Sequence, residues 1–355
     1  MVAVALKKTG KGAYIERLDA LLRDWFVAAR PYPARRAAGR GSAMWRGLEV
    51  SFRVKAWARA FFALQREPWL RSATRLLLLM SLLEHAHYSR NFHAWGGRNW
   101  ITMELSGLAT VAAAWPEFRA APAWMDYAVA RLGHELALQV YPDGVHKELT
   151  SGYHGVALRN FAELDDVCRR AGHPLPDAYA RGLEAMYGYL ARSMRPDGTN
   201  PLNSDSDRND QRPHVRAAAE RFGRPDWTYI VSGGAEGRPP NGPPSAALRW
   251  AGQLVSRSGW DRGAHWSFLD VGPWGTGHQH NDKLHLSVHA GGRDLLVDSG
   301  RFAYDGPLAE RFRQPYALHA RGHNVLLLDG CGQGPGPKEA AAPLGQADCR
   351  IAGEW

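Results

Sequence analysis

His278, His280 and Asp282 occupy alternate positions in the stretch GTGHQHNDKLHLSVHAGGRDLLVDSG, residues 275–300. They lead into a strand on which side chains alternate in direction: Leu284, Leu286 and Val288 to one face, His285, Ser287 and His289 to the other. Ala290-Gly291-Gly292-Arg293 reads as a tight hairpin, because paired glycines tolerate the positive φ such turns need. The returning strand Leu295-Leu296-Val297 delivers Asp298. His323 precedes a further apolar strand expected over 323–330. Imidazoles and a carboxylate gathered at one hairpin end suit a metal site, a proton-transfer site, or both.

The elements around this cluster divide the chain in two. Apolar residues recur at helical spacing from residue 13 to about 230: Trp57, Phe61 and Leu64; Leu76, Met80 and Leu83; Met125, Val129, Leu132, Leu136 and Val140; Tyr179, Leu183, Met186 and Leu190. Prolines 31, 33, 116, 122, 174 and 176 punctuate them. The segment GGAEGRPPNGPP, 233–244, reads as a linker. Beyond it the period falls to two, beginning with Trp266–Val271. Helices followed by strands argue an α+β fold with segregated domains, 1–240 and 241–355. A strand-borne histidine cluster then points to a cleft between them.

Two polar segments interrupt the helices: Trp95-Gly96-Gly97-Arg98-Asn99-Trp100, opening a helix that carries Glu104, and HKELTSGYHG, 146–155. The first also reads as helix capping. The loop NSDSDRND, 203–210, resembles a calcium loop but lacks the glycine and final glutamate of an EF-hand. Pro142-Asp143-Gly144 echoes Pro196-Asp197-Gly198, each after an amphipathic helix, a weak sign of repeated helical hairpins.

Composition narrows the function. Lys and Arg total 44 against 35 Asp and Glu, giving +9, which favours an anionic partner over a merely basic surface. The basic residues are dispersed and no nucleic-acid-binding signature accompanies them. Fourteen Trp and twelve Tyr suit a sugar cleft as well as a core. Three cysteines without CxxC spacing make neither a disulfide framework nor a cysteine zinc site. The longest apolar run, 76–83, is too short for membrane insertion. No signal peptide is read at the start, where charge follows the apolar residues.

Taken in order, GGRNWITMELSGL (96–108), WPEF (115–118), PDGVHKELTSGYH (142–154), HQHND (278–282), LLVDSG (295–300) and HNVLLLDG (323–330) resemble the heparinase II/III-like polysaccharide lyases. The resemblance implies an N-terminal incomplete (α/α) toroid followed by an antiparallel β-sandwich, with acidic polysaccharide bound between them. That sandwich is longer than the residues available here, so the chain reads as a truncated piece. By resemblance, Asn99 neutralises the substrate carboxylate, Tyr153 is general acid and often base, and His278 is the catalytic histidine. His280, Asp298 and His323 match the ligands of members that hold zinc. Arg98, Trp100, Glu104, Glu148 and His154, in the same segments, are expected to touch the substrate. A polysaccharide substrate implies a periplasmic or extracellular setting.

The corresponding chemistry is β-elimination. The C5 proton of a uronate lies beside a carboxylate. Its removal builds charge there, while the O4 leaving group needs a proton. Imidazole has an intrinsic pKa near neutrality, so His278 suits a base. Tyr153 suits an acid, or a base if Lys147 or Arg98 lowers its pKa. Two alternatives stand beside this. One is a glycoside hydrolase using Glu104 with Glu148, or Asp205 with Asp207. The other is an acidic-glycan-binding protein without turnover.

Overall fold

The computed structural model describes residues 9–36, 44–94 and 99–345. Nine α-helices are assigned among them: α1 Ala13–Ala28, α2 Gly47–Leu64, α3 Ser72–Phe92, α4 Asn99–Ala114, α5 Ala121–Gln139, α6 Ser151–Ala171, α7 Asp177–Ser193, α8 Arg212–Phe222 and α9 Pro225–Val231. Five strands follow: β1 Ala246–Leu248, β2 Gln253–Arg257, β3 Trp266–Asp270, β4 His285–Ala290 and β5 Arg293–Leu296. Helices then strands give the α+β class. None of the described helices is long and apolar enough to cross a membrane.

The chain forms two compact units, residues 1–136 with 159–176, and residues 137–158 with 177–355. Helix gives way to strand between Val231 and Ala246. Helices α7 to α9 and the 140–150 turn belong with the sheet.

In the first unit, Trp45, Val50 and Tyr88 form a buried cluster against Trp25 and Phe92. Helix α3 forms where its leucines suggest, but a different face is buried. Leu76 and Met80 are exposed, and Thr74, Leu78, Leu82 and His85 are covered. The leucine run from 76 to 83 offers apolar groups on several faces, so periodicity alone does not choose one. His85 marks the covered face: its Nδ1–H donates to the Ser81 carbonyl and its Nε2 accepts from Arg53 Nε at 2.8 Å. Burial pushes its pKa down to about 3, so it packs as a neutral ring.

In the second unit, α7 buries Tyr179, Leu183, Met186 and Leu190, with Asp177 in its first turn and Arg192 in its last, complementing the helix dipole. Helix α8 carries Pro213 in its first turn and is capped by Gly223 at φ 64°. The two Pro-Asp-Gly segments fold alike. In each, the glycine adopts a positive φ near 85–88° and its N–H closes the turn. In each, the aspartate accepts the N–H two residues on, at Val145 and Thr199. The sequence echo is therefore a shared turn with a shared hydrogen-bond pattern.

The strands form one antiparallel meander, in order β1-β2-β3-β4-β5. Val255, Trp266 and Phe268 are its apolar core. Gly291 and Gly292, at φ 59° and 73°, make the expected two-residue hairpin turn between β4 and β5. The faces of β4 invert the hydropathy pattern. His285, Ser287 and His289 are buried and Leu286 and Val288 only half-buried. The polar face is satisfied internally: His285 Nε2 meets Ser287 Oγ at 2.8 Å and His289 Nδ1 meets Asp294 at 2.8 Å. The strand expected over 323–330 does not form among the described residues. A single bridge joins Leu328 to Cys331, and Leu326 and Leu328 are 68% and 70% exposed. An apolar run without a paired neighbour has no ladder to complete.

Asp197, in the second Pro-Asp-Gly turn, ties this unit together electrostatically. Burial raises its pKa, but bonds from Thr199 and Arg208 and the charge of Arg195 outweigh that and hold it down to about 2. A depressed carboxylate contributes stability above its unfolded pKa of about 4, and loses it as pH falls through the folded value. Asp197→Asn should lower Tm at pH 5 and flatten the further fall between about pH 4 and 2, as thermal melts across that window will read.

Candidate active site

Tyr153 lies in the first turn of α6, a helix whose start is held by side chains of the 200–206 loop. Ser151 Oγ donates to the Pro201 carbonyl, and the Gly152 N–H donates to Ser206 Oγ at 3.0 Å. The same loop receives the 275–282 segment, with the Asp205 N–H donating to the His278 carbonyl at 3.2 Å. The result places the Tyr153 and His278 rings face to face, centroids 3.5 Å apart and planes 12° from parallel.

Asp205 is the centre of the polar network. Its Oδ2 accepts from His278 Nδ1 at 3.0 Å and from Tyr304 Oη at 3.0 Å. Its Oδ1 accepts from His280 Nε2 at 2.8 Å and pairs with Arg313 Nη1 at 2.6 Å. Burial raises its pKa, but the bonds from His278, His280 and Arg313 prevail and hold it far below the carboxylate range. An ionised carboxylate only accepts, so each histidine must present N–H to it. In the neutral ring this leaves the lone pair of His278 on Nε2 and that of His280 on Nδ1.

Tyr153 Oη meets Tyr304 Oη at 2.7 Å. Tyr304 donates to Asp205, which leaves its oxygen to accept the Tyr153 proton. Burial raises the Tyr153 pKa; the Tyr304 bond and Arg301 pull against it, and the charges of Asp205 and Glu148 add to it. The cation acting on Tyr153 is thus Arg301, whose guanidinium lies 4.9 Å from the Tyr304 ring. Lys147 pairs instead with Glu339 at 2.7 Å, and Arg98 lies outside the described residues.

Backbone strain gathers here. Leu149, Ser204, His278 and Phe302 all have φ between 54° and 62°, in a region non-glycine residues rarely adopt. Gly300, at φ 61°, lies so close to the loop that a Cβ would sit 2.4 Å from the Ser206 carbonyl oxygen.

Other expected residues take other tasks. His154 is buried, with Nε2 on the Met186 carbonyl at 3.1 Å and Nδ1 accepting the His146 N–H. Burial pushes its pKa down to about 3, so it braces the turn rather than facing a substrate. Glu148 is buried, and its backbone carbonyl accepts Gln279 Nε2 at 2.5 Å. In the first unit, Glu104 is buried, pairs with Arg36 at 3.0 Å and holds the Ala94 N–H. That leaves it no free face for a sugar. Asn99 begins α4 and is buried; Trp100 beside it is 37% exposed, with the Arg46 guanidinium 5.5 Å from its ring.

The metal-capable group is His285, Asp298 and His323, all buried, with ligand atoms within 4.8 Å of one another. Asp298 Oδ2 lies 2.8 Å from His323 Nδ1 and 3.3 Å from His285 Nδ1. His285 thus stands where His280 was expected, because His280 turns its Nε2 to Asp205. The His280 Nδ1 lone pair is nonetheless buried with no hydrogen-bond partner, and its ring centroid is 5.4 Å from that of His323. Two histidines, a carboxylate and a spare buried imidazole nitrogen fit a zinc-type donor set.

Tyr304, Arg301 and Arg313 were not singled out from the sequence. Tyr304 follows Asp298 by six residues, within reach of the same hairpin end. Arg313 sits on a wide, π-type helical segment, Ala309–Ala317, and such turns are frequent at functional sites.

Fold and cluster together have close counterparts. Residues 1–226 match the heparinase II/III N-terminus and residues 240–350 the heparinase II/III-like C-terminal region. The chain belongs to the heparinase II/III family. It is 28% identical over 334 residues to a heparin-sulfate lyase of Pedobacter heparinus, covering 92% of this chain and 50% of that protein. A heparin-sulfate lyase of Bacteroides stercoris is 26% identical over 291 residues, covering 80% and 43%. The crystal structure of a mutant heparan sulfate lyase from Pedobacter heparinus superposes with a TM-score of 0.76 at 28% identity, covering 93% of this chain and 52% of that one. A heparinase III structure gives 0.79 at 25% identity, covering 95% and 55%. The chain spans about half the length of the curated relatives it matches.

Proposed function

We propose that this chain carries the catalytic residues of a polysaccharide lyase that cleaves uronic-acid-containing polysaccharide, of heparan sulfate or alginate type, by β-elimination. The observation that carries the reading is the stacked Tyr153–His278 pair, anchored through Tyr304 on one ionised aspartate. His278 Nε2 takes the C5 proton. The electron pair forms the C4–C5 double bond, the C4–O4 bond breaks, and Tyr153 donates its proton to O4. The raised Tyr153 pKa keeps that proton in place until the leaving group needs it, which favours the acid role over the base role. Tyr304 Oη, 3.4 Å from His278 Nδ1, offers a return path for the proton to Tyr153. Asn99 is assigned the substrate carboxylate, where a neutral amide stabilises the enolate-like charge.

The hydrolase alternative is weaker. A general acid needs a raised pKa and access to the sugar: burial raises the pKa of Glu104, but its carboxylate is buried against Arg36, while Asp205 is held low and Asp207 pairs with Arg301 at 2.7 Å. Mass spectrometry of the products separates the two. Elimination gives new non-reducing ends one water lighter than hydrolysis does. Hydrolytic masses would refute the lyase reading.

Zinc would be held by Asp298 and His323 with His285 or His280. There it would brace the hairpin end that carries His278. His323 helps set the conditions. Burial disfavours its charge, but the bond and charge of Asp298 raise its pKa overall, so protons compete with zinc for this ring as pH falls. At zinc concentrations near 100 Kd, Tm should rise by the equivalent of about 2.7 kcal/mol. The rise should vanish in Asp298→Ala. Comparing His280→Ala with His285→Ala will name the third ligand, and an unchanged zinc response in Asp298→Ala would exclude the site.

A further inference from the structure

The second unit holds another cavity that shares no residue with the Tyr153–His278 network. It has a volume of about 50 Å³, lies against the Pro196–Gly198 turn, the end of α9 and the β2–β3 loop, and four of its lining residues are arginines: Arg195, Arg212, Arg257 and Arg262. No carboxylate among the described residues lines it.

Two of the four are already neutralised. Arg195 pairs with Asp294 and lies 3.8 Å from Asp197; Arg212 pairs with Asp210 at 2.8 Å. Arg257 differs. It is 3% exposed, yet no carboxylate among the described residues pairs with it. One Nη2–H reaches the Met194 carbonyl, and its Nε is buried without a partner. Its guanidinium stacks on Trp260, 4.3 Å from the ring centroid. Burial works against its charge and no nearby acid offsets that. Arg262, on the same loop, has no ion pair among the described residues either. The carbonyl end of α9 faces the cavity, but a seven-residue helix offers only partial charge in compensation. A buried, unpaired guanidinium is costly unless something supplies the missing negative charge.

We propose that this cavity binds a tetrahedral oxyanion, a sulfate- or phosphate-type group, on Arg257 and Arg262. Planar guanidinium forks match such oxygens in pairs. A cavity admits one water at roughly 10–15 Å³, so this one takes a group of about sulfate size. The anion has two sources, a free inorganic ion or a sulfo group on a sugar. The site does not depend on the lyase reading.

Thermal melts at constant ionic strength test it, comparing sodium sulfate, sodium phosphate, sodium acetate and glucosamine 6-sulfate with sodium chloride. Sulfate or phosphate is expected to give a saturable rise in Tm that acetate and chloride do not give. Arg262→Ala should weaken the response about tenfold or more. Arg257→Met should abolish it and raise the Tm measured without anion, because an apolar side chain replaces an unpaired buried charge. Arg216→Ala, which removes an exposed pair with Glu236, should respond as wild type. A rise with glucosamine 6-sulfate would assign a sulfo sugar; a rise with the inorganic ions alone would assign the free anion. A sulfate response no larger than that of chloride, one matched by acetate, or one unchanged in both Arg257→Met and Arg262→Ala, would overturn the proposal.

Discussion

Tyr153→Phe should lower kcat by about 10²–10⁴-fold, the range proton transfer by a positioned side chain contributes. KM should change little, because the lost hydroxyl acts on the leaving oxygen rather than on bound sugar. Stability should also change little. Tyr153 is only half-buried, and Tyr304 keeps its own bond to Asp205. The pH profile carries a sign as well. An acid must be protonated, and the Tyr153 pKa is raised by burial and the charges of Asp205 and Glu148. The alkaline limb it imposes should therefore fall above the ordinary tyrosine value of about 10. Steady-state kinetics across pH on wild type and variant will read both effects. An unchanged kcat in Tyr153→Phe would remove this residue from the reaction.

Asp205 is the second large effect, and two substitutions separate its roles. Asp205→Ala leaves Arg313 buried without its carboxylate and strips one hydrogen bond each from His278 and His280. Breaking a buried pair in this way costs about 3–5 kcal/mol. At roughly 2–4 °C per kcal/mol for a unit of this size, Tm should fall by about 10 °C. Asp205→Asn preserves the shape but changes the chemistry. An amide can donate to His278 Nδ1, which moves the ring proton to Nε2 and removes the lone pair that takes the C5 proton. The same exchange in a serine-protease triad costs about 10⁴ in kcat. Asp205→Asn should thus lose activity by roughly that factor while melting well above Asp205→Ala. Equal activity in wild type and Asp205→Asn would show that His278 does not act through this tautomer.

These two residues also mark what the sequence disclosed and what it did not. Tyr153 and His278 were singled out through the resemblance of their segments, and the fold stacks their two rings. The Gly291-Gly292 hairpin was legible because paired positive φ values leave few alternatives. Asp205 was not legible as a hub. It lies in a loop of several carboxylates, and its four partners come from residues 278 to 313, which only the folded chain assembles. His285 was hidden by alternation. Alternation sets it on the face opposite three apolar residues without saying which face is covered, and β4 buries the polar face and bonds it internally. Leu76 and Met80 failed for the complementary reason, since a helix rich in leucine on several sides does not announce which side is covered. Glu104 and His154 looked like site residues by type, and only their partners, Arg36 and the Met186 carbonyl, reveal their structural work.

The most direct test of the central claim follows absorbance in the near-ultraviolet band of unsaturated uronates. The protein is incubated with heparan sulfate, heparin, alginate and other polyuronates, with Tyr153→Phe in parallel. The account predicts a steady rise with at least one uronate polymer and a rise at least about 100-fold slower in the variant. Depolymerisation without any such absorbance, or equal rates in the two proteins, would contradict it.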